Sequence, residues 1–302
     1  MDTRFIQAKG SAGSSAQSIR SVASGEKEFR NMRLSCIPVS FFGAISHGQM
    51  TLAEWLDFAS ELGLDGVECG PLLIQPLGPA KPAEFRKLAE ERGLAISNYT
   101  AYTDFAHPDP EVRKSELAAI LKSLDTAREL GAPSVRAVTG QRWPGVDQGD
   151  GIRWVIEGVR WIAEEADRMR LRVNLENHTK AATWTHFDFA MQGDVFLRIM
   201  EGLRDVPVGV QFDTANPLVA GEDALALFEH LRSRIGYVHI NDVGRTGVFE
   251  FVPVGTGLAP IREVLTRLHQ QGYAGWLGIE EASRTGRQGF YQAVEYVRRH
   301  LP

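Results

Sequence analysis

Four short stretches of this chain each end a run that reads as a β-strand with an acidic residue or a histidine: Val173-Asn-Leu-Glu176-Asn-His178, Val208-Gly-Val-Gln-Phe-Asp213, Tyr237-Val-His239-Ile-Asn-Asp242 and Trp276-Leu-Gly-Ile-Glu280. Glu176, Asp213, His239 and Glu280 together make three carboxylates and one imidazole. A hard or borderline divalent cation accepts that donor set, with Mn²⁺, Co²⁺, Mg²⁺ and Zn²⁺ all chemically suitable. A structural zinc site prefers Cys and His, so the set leans away from one. Successive members are separated by about one strand plus one helix, the interval between neighbouring units of a (β/α)8 barrel.

The elements needed to bring such residues together are legible. From Arg33 onward, short β-branched or apolar runs alternate with amphipathic stretches, the pattern of a parallel sheet with crossover helices. Strands are predicted over 34–39, 66–69, 94–99, 134–138, 172–176, 208–212, 235–240 and 276–279. Helices are predicted over 51–62, 82–92, 110–130, 151–169, 193–202, 223–232, 260–271 and 287–299. Thr51 with Glu54 reads as a capping box, and Gly63, Gly93, Gly131 and Gly272 stand where helices stop. The fold class expected is α/β, a single-domain (β/α)8 TIM barrel over residues 32–302.

Alternation within the last four strands supports this reading, because a strand sends successive side chains to opposite faces. Asn174, Glu176 and His178 share one face, as do Gln211 and Asp213, Tyr237, His239 and Asn241, and Gly278 and Glu280. Val173, Leu175, Val210, Phe212, Val238, Ile240, Leu277 and Ile279 occupy the opposite faces. Apolar side chains thus face the helices and polar ones the barrel axis. Glu281, next to Glu280, is turned toward the helices by the same rule, leaving Glu280 as the ligand.

Composition narrows the functional classes. With 43% hydrophobic and 24% charged residues the chain can bury a large core. Its 33 basic and 38 acidic residues, with no long basic run, give no footprint for a phosphate backbone, so nucleic acid is not an expected partner. Cys36 and Cys69 fall inside predicted strands and read as small buried hydrophobes of a reducing compartment, which favours the cytoplasm. Residues 1–31 are rich in Ser, Ala, Gly and charge, and lack the apolar stretch that an export signal or membrane span requires. They are expected to be a flexible leader, and a start at Met32 would account for their lack of pattern.

The segments Leu175-Glu-Asn-His178, Phe212-Asp-Thr-Ala-Asn216, Val238-His-Ile-Asn-Asp242 and Val254-Gly-Thr-Gly257, with the run from Gly272 to Glu280, resemble the xylose isomerase-like TIM-barrel superfamily of sugar isomerases and epimerases. Ketose 3-epimerases and inosose dehydratases belong to that group. The resemblance covers nearly everything after Met32. It implies that Glu176, Asp213, His239 and Glu280 bind one divalent ion, Mn²⁺ first among the candidates, and that Glu176 and Glu280 flank the carbon that loses its proton. It further implies a small-molecule sugar as substrate, no membrane, and self-association as a dimer or tetramer.

A cation beside a carbonyl stabilises the enediolate formed when the neighbouring carbon is deprotonated. Proton return from the opposite face gives an epimer, protonation of the adjacent carbon an isomer, and loss of a β-substituent a lyase product. The leading expectation is a metal-dependent isomerase or epimerase of a keto sugar, with a lyase on a keto-inositol or 3-keto-glycoside as its near alternative. An endonuclease IV-like phosphodiesterase would need many inward histidines, and only His178 and His239 of the eight qualify. A non-catalytic sugar-binding barrel would have no need of the four-ligand set.

Other residues stand near the strand ends. His178 is a candidate hydrogen-bond donor or second base, against a packed histidine. Glu68 and Arg136 either bind sugar hydroxyls or pair with each other. Asn216, Asp242 and Lys180 are candidate substrate contacts, with helix capping the alternative for Asn216 and a solvated loop charge for Lys180. Phe41, Trp143 and Trp184 could stack on a sugar ring or pack within their loops, and His47 and His107 carry no assigned role. Two departures concern substrate contacts: Asn241 stands where many relatives carry lysine, and Asp213-Thr-Ala-Asn216 lacks the histidine that ketose epimerases place there. The second departure counts against a simple free-ketose 3-epimerase, and the Glu176-Asn-His178 and Gly275-Trp-Leu-Gly-Ile-Glu280 segments resemble more the branch acting on inososes and 3-keto sugars or their glycosides.

Overall fold

Eight parallel strands close on themselves in chain order, each paired with the next and the last with the first. They are Arg33–Ile37 (β1), Gly66–Cys69 (β2), Ala95–Thr100 (β3), Ser134–Ala137 (β4), Arg172–Glu176 (β5), Val208–Asp213 (β6), Ile235–Ile240 (β7) and Trp276–Glu280 (β8). Major helices follow the strands: Leu52–Glu61 (α1), Pro82–Glu90 (α2), Pro110–Leu130 (α3), Gln148–Arg168 (α4), Gly193–Gly202 (α5), Ala224–Leu231 (α6), Ile261–Gln270 (α7) and Arg287–His300 (α8). This is the (β/α)8 barrel expected. The computed structural model describes residues 32–74 and 82–302, so the proposed leader, residues 1–31, lies outside the described residues.

Local chemistry explains the boundaries. The Thr51 side chain accepts from the Glu54 amide at 3.1 Å while Glu54 accepts from the Thr51 amide at 2.7 Å, so the capping box holds the first turn of α1. After α3, Gly131 adopts φ 72°, the left-handed conformation that ends a helix without a Cβ clash. β1 ends at Ile37, two residues sooner than the apolar run predicts, and a 3₁₀ turn follows at Val39–Phe41. Pro38 has no N–H to donate to a ladder. Helix α4 begins at Gln148, before the predicted Gly151, because Asp147 accepts from the Gly149 and Asp150 amides and so overrides the weak helix preference of two glycines. Short helices at Phe42–Ser46, Pro71–Ile74 and Asn216–Val219 were not signalled by periodicity.

The outward strand faces form the core with the helices: Val173, Leu175, Val210, Phe212, Val238, Ile240, Leu277 and Ile279 are all buried. Trp55, Phe58 and Phe290 extend this layer, each contributing roughly 1.5–3 kcal/mol by burial. Phe41 belongs here too, stacked on Phe290 at 4.6 Å. Of the two roles open to Phe41, packing is the one it takes. Among the described residues, no helix is long and apolar enough to cross a membrane.

The barrel interior is polar and tightly specified. Tyr237 Oη lies 2.8 Å from Ser35 Oγ and 2.9 Å from Ser97 Oγ, and it fits because Gly278 beside it has no Cβ. Two irregularities set the register above it. Val67 pairs with Ile96 but Glu68 with Asn98, so Ser97 is an extra residue and both Ser97 and Asn98 bond inside the barrel. Val210 pairs with Ile235 but Gln211 with Tyr237, which makes Gly236 the extra residue and brings Asp213 level with His239.

Candidate metal centre

At the C-terminal ends of β5 to β8 the four sequence candidates converge. Glu176, Asp213, His239 and Glu280 each offer a ligand atom, and these atoms all lie within 4.8 Å of one another. His239 Nδ1 is 2.8 Å from Glu176 Oε1 and 3.0 Å from Glu280 Oε2. The side chains of Glu176 and His239 are each 1% exposed and that of Glu280 is 24% exposed, so Glu280 is the member open to the mouth.

Asp213 tests whether a cation suits this cluster. Its Oδ1 accepts from the Ala215 amide at 2.8 Å and the Asn216 amide at 2.7 Å, while its buried Oδ2 has no hydrogen-bond partner among the described residues. A buried carboxylate oxygen without a partner carries a desolvation cost of about 1–3 kcal/mol or more. Burial, then Glu280 and Glu176, push the Asp213 carboxyl well above the usual range. Bonds of about 2.0–2.3 Å to one ion would place opposed ligand atoms about 4–4.6 Å apart, within a few tenths of an ångström of the spread seen. The donor set, its spacing and the orphaned oxygen all fit a divalent cation.

Beneath the cluster, His239 Nε2 lies 2.9 Å from Glu68 Oε2. The other Glu68 oxygen accepts from Asn98 Nδ2 and Thr100 Oγ1, each at 2.8 Å. Burial pushes Glu68 up, but the imidazole, Asn98 and Thr100 outweigh it and hold the carboxyl below its ordinary value. Burial would lower His239, yet Glu68 and Glu176 raise it well above the usual histidine range. Gln211 fixes the same layer, its Nε2 lying 3.3 Å from Glu176 Oε1 and its Oε1 accepting from Asn98 at 2.9 Å.

Arg136 donates to Glu176 Oε2 at 2.7 Å with both side chains buried. Its guanidinium lies 4.5 Å from the centre of the Tyr102 ring and also donates to the Ala101 carbonyl. Burial works against the charge of Glu176, but Arg136 and then His239 outweigh it and hold the carboxyl well below the usual range.

These contacts sit inside a fold that a family description matches over residues 56–300, "Xylose isomerase-like TIM barrel". The chain belongs to that family. Among relatives of this xylose isomerase-like barrel, a candidate hydroxypyruvate isomerase of Streptomyces coelicolor is 28% identical over 158 residues, 52% of this chain and 55% of that protein. A fructoselysine 3-epimerase of Escherichia coli O157:H7 is 23% identical over 85% of this chain and 96% of its own length. An inosose dehydratase of Erwinia tasmaniensis is 24% identical over 74% of this chain and 82% of its own. The crystal structure of a 3-keto-D-glucoside 4-epimerase from E. coli shares the fold with a TM-score of 0.70, 18% identity, and coverage of 89% of this chain and 99% of that one.

The remaining candidates of this xylose isomerase-like barrel take varied places. His178 lies beside the cluster, with Nδ1 3.3 Å from Asp188 Oδ2 and its ring edge-on to Trp184 at 5.3 Å. Glu68 and Arg136 do not pair with each other: Glu68 is enclosed under His239, with no exposed surface for a sugar, and Arg136 pairs with Glu176. Asp242 is occupied by the amides of Val243, Gly255, Gly257 and Ala259, each at 2.9 Å, so it ties down the loop after β7 and leaves no oxygen for a sugar. Asn216 starts a short helix; its amide holds Asp213 and its side-chain oxygen accepts from Thr179 at 3.0 Å. Lys180 donates to the Thr185 carbonyl in the loop after β5. Trp143 donates to Asp104 and packs against His107 and His186, whereas Trp184 joins His178 and Tyr102.

Sequence reasoning missed Asn177, Asp188 and Tyr102. Asn177 exchanges two bonds with the Asp213 backbone, at 2.9 and 3.1 Å, and so fixes the end of β6. A polar residue on the face otherwise given to apolar side chains was the available signal. Asp188 and Tyr102 lie in loops, where periodicity says nothing about direction.

Proposed function

We propose that this protein is a divalent-metal-dependent isomerase or epimerase acting on a keto sugar or sugar derivative by moving a proton next to a carbonyl. The observation that carries the reading is the orphaned Asp213 Oδ2, buried where Glu176, His239 and Glu280 also present ligand atoms. Glu176, Asp213, His239 and Glu280 would hold the ion, with Mn²⁺ the first candidate. Bound there, it supplies positive charge beside the substrate carbonyl and makes the adjacent C–H acidic.

The protein groups divide the proton handling. Arg136 keeps Glu176 charged, so this carboxylate stands ready to accept the proton from carbon. Glu280 retains exposed surface at the mouth, within reach of solvent, which suits it to return a solvent-derived proton. Trp184 and Tyr102, beside His178, provide aromatic surface for a sugar ring and help to exclude water.

Family membership and the matches to named sugar epimerases support an enzyme of this class. The match to an inosose dehydratase favours a second reading, elimination of a β-hydroxyl after the same deprotonation. Free, phosphorylated and 3-oxidised sugars incubated with manganese-loaded protein in heavy water separate the outcomes by NMR. Deuterium entering the carbon next to the carbonyl supports the proposal, and an unsaturated product identifies the lyase. Turnover with no deuterium incorporated would remove the proposed step.

A further inference from the structure

Asp188 is buried, with no exposed surface, yet it is neither a member of the metal cluster nor part of the core packing. It is clamped in place. Its Oδ1 accepts from the Ala190 amide at 2.9 Å and from Thr139 Oγ1, which itself accepts from the Ala190 amide at 3.1 Å. The Asp188 amide donates to the Thr179 carbonyl at 2.6 Å, joining the two arms of the loop after β5. All of this leaves Oδ2 facing His178 Nδ1 at 3.3 Å. The opposite ring nitrogen, Nε2, has no hydrogen-bond partner among the described residues, and the ring, whose side chain keeps 9% of its surface exposed, stands edge-on to Tyr102 and Trp184.

We propose that Asp188 is a positioning residue that holds His178 as the Nδ1–H tautomer, so that Nε2 presents a lone pair to a substrate hydroxyl. The inference deepens the proposed function and rests on it for the substrate. The transfer is balanced: the hydroxyl O–H bond breaks, its electron pair stays on oxygen, and the proton bonds to Nε2. The imidazolium formed is neutralised by the Asp188 carboxylate, and the proton is later returned to a substrate oxygen. Buried carboxylate, imidazole and hydroxyl then act in series, the general arrangement by which an oriented histidine serves as a base. A substrate with a free hydroxyl near its carbonyl is the class this requires.

Asp188→Asn provides a specific test, because the Ala190 amide requires the side-chain oxygen to remain at the Oδ1 position. The Asn amide nitrogen must then face His178 Nδ1 and donate to it, which moves the ring proton to Nε2. Protein labelled with ¹⁵N-histidine and loaded with diamagnetic Mg²⁺ reports the tautomer by NMR at about pH 8.5. His178→Gln assigns the signal. The wild type is expected to show Nδ1–H and Asp188→Asn to show Nε2–H, with both variants retaining the barrel by circular dichroism. The Nε2–H form in the wild type, or an unchanged tautomer in Asp188→Asn, overturns the proposal without reference to activity.

Turnover gives an independent arm. With D-fructose or a 3-oxidised methyl glucoside, whichever the wild type deuterates, Asp188→Asn is expected to lower kcat by about 100-fold, within the range for general acid–base catalysis, with KM changed less than about threefold. Asp188→Asn combined with His178→Gln should be no slower than His178→Gln alone. A wild-type kcat in Asp188→Asn would contradict the proposal. Failure of the wild type to deuterate either sugar counts against the proposed function, and the tautomer result still decides Asp188.

Discussion

Glu68 and His239 meet on the barrel axis, 2.9 Å from Oε2 to Nε2, so the histidine is held from below while its other nitrogen faces Glu176 and Glu280. A carboxylate on the far nitrogen fixes the ring and raises its basicity as a ligand, and removing such a partner costs about 10–100-fold in metal affinity. Glu68→Gln should therefore weaken Mn²⁺ binding by that factor, measured by competition with a chelating dye. Unchanged affinity would show that the Glu68 carboxylate does not support His239 in metal binding.

Arg136 and Glu176 form an ion pair that is 3% and 1% exposed. Removing Arg136 takes from Glu176 its largest compensating charge and leaves only His239 beside it, so Arg136→Met should destabilise metal-stripped protein by up to about 3–5 kcal/mol in chemical denaturation. The double variant Arg136→Met with Glu176→Gln should recover most of the loss. Equal destabilisation of the single and double variants would place the cost in packing instead.

The metal-stripped site should also give stability a definite pH dependence. Asp213 is raised by burial and by Glu280 and Glu176; His239 is raised because Glu68 and Glu176 outweigh its burial. Both groups bind more protons folded than unfolded, so their contributions are present below the unfolded values of about 3.9 and 6.5 and are lost as pH rises toward the higher folded ones. Glu176, shifted downward, acts in the opposite sense only at the acid end. The thermal midpoint gained on adding Mg²⁺ or Mn²⁺ should thus grow from pH 5 to 8. A gain that shrinks over that range would contradict this assignment.

Gly278 marks a packing limit below the site. A Cβ there would stand 2.6 Å from Tyr237 Oη and 2.7 Å from its ring, and Tyr237 is already fixed by Ser35 and Ser97. Gly278→Ala should cost about 1–3 kcal/mol through overpacking. A thermal midpoint equal to that of the wild type would show that the tyrosine can move aside.

The barrel and the convergence of its four candidate ligands were legible because they rest on alternation and on repeated spacing. Glu176, Asp213, His239 and Glu280 each end a strand whose opposite face is apolar, so direction followed from the period of two. Glu68 followed the same rule, but its depth below the mouth depended on the extra residue Ser97 in β3, which no pattern announces. Arg136 was seen at its strand, whereas its choice of Glu176 over Glu68 depends on reach across the barrel. Asp242 read as a substrate contact because loop-organising side chains are polar for the same reason that binding side chains are. Asp188 comes to His178 through the fold of the loop after β5, a conformation set by backbone bonds to Thr139 and Thr179.

Titration of metal-stripped protein with Mn²⁺, followed calorimetrically and checked by elemental analysis after dialysis, tests the central claim most directly. One ion should bind per chain, and Asp213→Ala and His239→Ala should each weaken that binding at least tenfold while leaving the circular dichroism spectrum unchanged. Full-affinity binding in both variants, or no binding by the wild type, would contradict a metal centre built from Glu176, Asp213, His239 and Glu280.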